Sequence, residues 1–118
     1  MIRWKVTNLS RASVIVHNVS NYSRFYYKGT IVKAKSGTLG LMTFKTKLDA
    51  LDFAKEIFHL RGFKILKVQS IGRGRVPDRI ALKSSEESLN FFYSEGPLID
   101  SWLPPEGTIC YDKIKVLT

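Results

Sequence analysis

Between Thr46 and Gly62 the chain carries one amphipathic helix with both ends marked, and on either side of it the apolar period falls to two. That order restricts the fold to a sheet with a helix laid on it. Thr46 and Asp49 have the Ser/Thr-x-x-Asp/Glu spacing of a capping box, and Ala50, Phe53, Ala54, Ile57 and Phe58 recur at the spacing of a buried stripe. Gly62 stands where a C-terminal cap belongs, so the helix is predicted over 46–61. Asp49, Asp52 and Glu56 fall on its outer side, as a solvated face favourable near a helix N-terminus and not as catalytic carboxylates.

At the N-terminus Ile2, Trp4 and Val6 alternate with Arg3, Lys5 and Thr7, which gives a strand with one apolar and one basic face. Ser13 to His17 is a β-branched run expected to pair with it around a turn near Ser10 and Arg11. Thr30 to Lys35 is a third strand, and Ser36-Gly37-Thr38-Leu39-Gly40 supplies turn residues for a hairpin that returns as Leu41 to Phe44. Phe63 to Ile71 resumes β character. Ser84-Ser85-Glu86-Glu87 begins a short second helix, about 85–94, and a proline-containing loop leads to a final strand from about Thr108 to Leu117. The expected class is α+β, mainly antiparallel, with residues 1–118 as a single domain of a size that buries one core.

Charge narrows the partners. The 118 residues hold 19 Lys+Arg against 10 Asp+Glu, a net +9. Residues 1–83 carry 17 basic and 4 acidic side chains while 84–118 carry 2 and 6, and no acid precedes Asp49. A basic excess of this kind attracts nucleic acid, nucleotides or an acidic surface. No apolar run is long enough to cross a membrane and no signal peptide opens the chain, so a cytoplasmic protein is expected, with Cys110 packed in the apolar run Thr108-Ile109-Cys110-Tyr111.

Ile71-Gly72-Arg73-Gly74-Arg75-Val76-Pro77-Asp78-Arg79 combines backbone freedom at Gly72 and Gly74 with the forked donors of Arg73, Arg75 and Arg79, a composition suited to phosphate or carboxylate. It lacks the Lys-Ser/Thr of a P-loop and the spacing of a dinucleotide fingerprint; the bland alternative is an exposed turn whose arginines pair with nearby acids. Tyr22-Ser23-Arg24-Phe25-Tyr26-Tyr27-Lys28 interleaves aromatics with Arg24 and Lys28, as proteins that stack bases and hold phosphates do. Alternation there should put Phe25 and Tyr27 on one face with Tyr26 and Arg24 on the other. His17 and His59 have no metal-ligand partners at suitable spacing, and no nucleophile motif occurs, so no catalytic residue, metal or cofactor is expected.

The series Gly29-Thr30-Ile31-Val32-Lys33-Ala34, Gly37 to Thr46, Lys64 to Val68, Ile71-Gly72-Arg73-Gly74-Arg75 and Gly107 to Ile114 resembles small uncharacterised proteins carried by phages and other mobile elements. The resemblance implies no activity. It implies a context in which compact α+β proteins, often oligomeric, counter host defence by sequestering nucleotide signals. A non-enzymatic binder of a phosphate-bearing ligand, most concretely a cyclic nucleotide, in the cytoplasm of a host cell is therefore expected. Arg73, Arg75, Arg79, Gly72, Gly74, Arg24 and Lys28 would hold phosphates, Tyr26 or Phe91 would stack the base, and a homo-oligomer interface would wall the site. A basic DNA- or RNA-binding module and a protein-protein inhibitor are the alternatives.

Overall fold

The computed structural model describes residues 1–13, 24–35, 40–58, 62–77, 80–81, 101–102 and 104–118. The second helix expected at 85–94, the run 14–17, Arg79, Phe91, His17 and His59 lie outside them. The main sheet comprises β1 (Ile2–Asn8), β2 (Ile31–Lys33), β3 (Leu41–Phe44), β4 (Phe63–Ile71), β7 (Thr108–Tyr111) and β8 (Lys113–Val116), in the order β2-β8-β4-β1-β3-β7, every pair antiparallel. A short separate pair is formed by β5 (Ile80–Ala81) and β6 (Ser101–Trp102), and the helix α1 covers Lys47–Phe58. The α+β class with a helix on an antiparallel sheet is thus what forms.

β7 and β8 are separated by Asp112 alone, yet they stand far apart in the strand order. The sheet therefore curls back on itself. Residues 108–116 act as one bent strand, and β4 follows its bend: Ile71 pairs with Lys113, and Arg75 then exchanges both backbone hydrogen bonds with Cys110 (2.9 and 2.8 Å). Four steps on one side match three on the other, a bulge of the kind that sharpens curvature, and Gly72 at φ 84° supplies its left-handed residue.

The other edge of the bent strand holds β2 along its β8 half and β3 along its β7 half. This corrects the hairpin expected at 30–44. Both strands run antiparallel to the same partner, so they run in the same direction as each other and do not pair as a hairpin. Ala34 donates to the Asp112 carbonyl (2.8 Å) and Leu41 pairs with Tyr111, so the chain leaves and rejoins the sheet at the corner. With β3 also paired to β1 (Trp4 opposite Phe44), the staves close a small barrel: β1, β4, the bent strand, and β2 with β3.

β4 pairs with β1 along its whole length, and β3 meets its other edge at Trp4–Phe44; the partner of the expected run 14–17 lies outside the described residues. Ala12 pairs with Phe25, and Ser13 donates to the Arg24 carbonyl (2.9 Å).

Two cores follow from the two sheet faces. Inside the barrel lie Tyr26, Val32, Leu41, Leu66, Val68, Tyr111, Ile114 and Val116. On the outside, α1 sets Ala50, Phe53 and Ala54 on Val6 and Phe44, with Trp4, Met42, Phe63 and Ile65 at the margin and the Phe44 and Phe53 rings 5.1 Å apart. Thr46 caps α1 as expected, its Oγ1 accepting from the Asp49 amide (3.1 Å); Asp52 and Glu56 are exposed, whereas Asp49 is half-buried with its carboxylate against Gly107. Arg3, Lys5 and Thr7 alternate to the inner side, so the basic face of β1 is largely interior. Lys5 is only 6% exposed; its Nζ donates to the Met42 carbonyl (2.7 Å) and lies 4.9 Å from the Tyr26 ring centroid.

Candidate functional site

The helix covers only part of the outer sheet face, and the strand registers fix what occupies the rest, because residues directly opposite in an antiparallel pair share a face. One row reads Lys33, Lys113, Ile71; the next reads Ile31, Lys115, Gln69, Ile2; a third brings Lys67 beside Trp4. Lys33, Lys67, Lys113, Lys115, Ile31, Ile2 and Gln69 are all exposed. No acidic residue occupies these rows. From Lys33 through Lys113 and Lys115 to Lys67 the backbone spacings are about 5–8 Å, set by strand separation and the two-residue repeat. The lysines thus form a diagonal line across three strands. At its far end Trp4 is half-buried against α1 with the Lys47 ammonium 5.7 Å from its ring centroid.

Lys113 and Lys115 carry this face, though they belong to the acid-rich third of the sequence. The alternation Lys113-Ile114-Lys115-Val116 is the signal that reveals them: the apolar members point into the barrel, so the lysines point out.

The arginine-glycine segment divides. Arg73 is exposed at the bulge, and Arg75 makes a bidentate pair with Asp112 (2.8 and 3.2 Å) that braces the barrel corner. Arg75 thus pairs with an acid at the barrel corner, Asp112, and Asp78 lies outside the described residues. Gly74 is also structural, since a Cβ there would stand 2.6 Å from Ile109 Cδ1 and 3.0 Å from the Tyr111 ring. Cys110 lies beneath this corner, and burial pushes its thiol up to about 11, with the Lys5 and Arg75 charges opposing the rise. It packs as expected.

In the aromatic segment the alternation holds but its polarity is the reverse of what base stacking by Tyr26 requires. Tyr26 is 1% exposed, in the barrel core, and has no free ring face for a base; Phe25 and Tyr27, at 53% and 52%, are the exposed rings, parallel within 2° with centroids 5.8 Å apart. Arg24 donates from Nε to the Lys33 carbonyl (2.8 Å), which places it at the end of the row Lys33, Lys113, Ile71 that leads to Gly72 and Arg73. Arg24 and the Arg73 bulge thus belong to one end of the sheet, separated by the widths of β2, β8 and β4, roughly 15 Å at the usual strand spacing. Lys28 is exposed in the turn that follows.

No family model matches the chain, and neither a curated protein nor a solved structure is significantly similar to it. Among the described residues no helix is long and apolar enough to cross a membrane.

Proposed function

We propose that the protein binds a nucleic-acid strand through its phosphates on the open lysine face. The observation that carries this reading is the line Lys33, Lys113, Lys115 and Lys67, four cations on a rigid sheet face with no carboxylate among them. Cations spaced along a path meet a chain of phosphates better than a single compact anion, and their long stems let each ammonium adjust its reach. Capture of one nucleotide draws less support, because Tyr26 is buried and Arg75 is engaged by Asp112.

The test is the salt dependence of binding to a short fluorescent oligothymidylate. If all four lysines release counterions, log K falls against log[salt] with a slope of about −2.8, which is about 50-fold between 50 and 200 mM. Replacing Lys113 and Lys115 by Gln removes two of the four contacts and should reduce the slope by about 1.4. Binding that ignores salt, or a slope unchanged in that variant, defeats the proposal; a salt-resistant melting shift with one mononucleotide would favour nucleotide capture instead.

A further inference from the structure

Among the described residues, Phe25 and Tyr27 are exposed aromatic rings that the lysine line leaves unexplained. Both are about half exposed, they lie parallel, and the backbone between them is held from several sides. Tyr26 anchors the segment in the barrel core, and its carbonyl accepts from Arg11 Nε (2.7 Å) while its amide donates to the Arg11 carbonyl (2.8 Å). The Tyr27 carbonyl accepts from both the amide and the hydroxyl of Thr30 (3.1 and 2.6 Å). The rings are therefore presented on fixed backbone, which lowers the ordering cost of any contact they make.

Their position follows from the ties of this segment to β2. Arg24 reaches the carbonyl of Lys33 at one end, and Tyr27 meets Thr30, the residue before Ile31, at the other. The aromatic segment thus flanks the strand that begins the lysine line, and a chain of phosphates leaving Lys33 over the edge of β2 arrives at Phe25 and Tyr27, with Lys28 exposed beside them. A duplex keeps its bases stacked inside and gains nothing from an aromatic surface. An unpaired strand gains stacking on every ring it meets, whatever its sequence.

We infer that the ligand is single-stranded and that Phe25 and Tyr27 stack its unpaired bases at the β2 edge of the lysine face. This rests on the polyanion reading above and adds to it the class of strand. The experiment compares the wild type with a Phe25→Ala/Tyr27→Ala variant, using an oligothymidylate and an abasic oligonucleotide of equal length and charge. The rings are half exposed and stacked on each other, so the variant should keep the wild-type circular-dichroism spectrum and melt a few degrees lower, still folded at the assay temperature. The wild type should prefer the base-bearing strand, and the variant should lose roughly 5- to 150-fold in affinity for it per stacked base while holding the abasic strand unchanged. Equal binding of the two strands by the wild type, with the lysine dependence intact, overturns the stacking inference and leaves the phosphate contact standing. Failure to bind either strand overturns both. A wild type that dimerises where the variant is monomeric, by light scattering, overturns the inference by assigning the rings to a second copy of the chain.

Discussion

Gly40→Ala tests the barrel closure most directly, with Gly29→Ala as its control. Both glycines adopt positive φ, 109° and 83°, where an alanine is strained by about 1–3 kcal/mol. They differ in their surroundings. A Cβ at Gly29 meets nothing within 4 Å, whereas one at Gly40 would stand 2.6 Å from the Tyr111 carbonyl oxygen and 2.7 Å from its carbon. Those are backbone atoms at the corner between β7 and β8, so relief requires moving the strand, an overpacking cost of about 1–3 kcal/mol beyond the dihedral strain. At roughly 4 °C per kcal/mol for a chain of this length, Gly40→Ala should melt about 4–12 °C below Gly29→Ala by circular dichroism. Equal melting temperatures would refute the close passage of the chain over the corner, and with it the account of β2 and β3 as two lengths of one interrupted stave.

The raised Cys110 thiol implies a pH dependence with a definite sign. Between its ordinary value of 9.0 and about 11 the unfolded thiol ionises while the buried one keeps its proton, so this group's contribution is complete below pH 9 and falls by about 1.4 kcal/mol per unit as pH rises through that window. Urea midpoints of the wild type and Cys110→Ala at the two ends of the window should differ in this way, and parallel pH profiles would contradict it. The Arg75–Asp112 pair is bidentate but 46% and 59% exposed, so a double-mutant cycle to alanine should give a coupling of about 0.2–1 kcal/mol. A coupling of several kcal/mol would mean that the pair is far less solvated than its exposure indicates.

The helix is legible in the sequence because its cap, its stripe and the solvated Asp52 and Glu56 are all local signals within 46–58, whereas the packing of Asp49 on Gly107 is not. The strands 2–8, 63–71 and 108–116 are legible for the same reason, through their period of two. Pairing is not local. The turn-rich residues 36–40 suit a hairpin, and what excludes one is that 31–33 and 41–44 find the same edge of a strand some seventy residues on. Alternation in β1 separates two faces without saying that both are covered, one by α1 and the other by the barrel, so Lys5 becomes interior by virtue of a carbonyl at Met42. The same limit explains Tyr26: the sequence separates it from Phe25 and Tyr27 but does not say which side meets the core. Lys113 and Lys115 were legible by alternation, and the acid count of their third of the chain hides them.

The bent strand 108–116 has a kinetic consequence. It is the common partner of 31–33, 41–44 and 68–75, so until it has been synthesised and has left the ribosome those segments expose unpaired strand edges. Each of these contacts closes a loop of about forty to eighty residues, which costs chain entropy before any pairing repays it. The protein should therefore fold on the slow millisecond-to-second scale of non-local β topologies, with α1 and the β1–β4 pairing available early and barrel closure as the late, committing event.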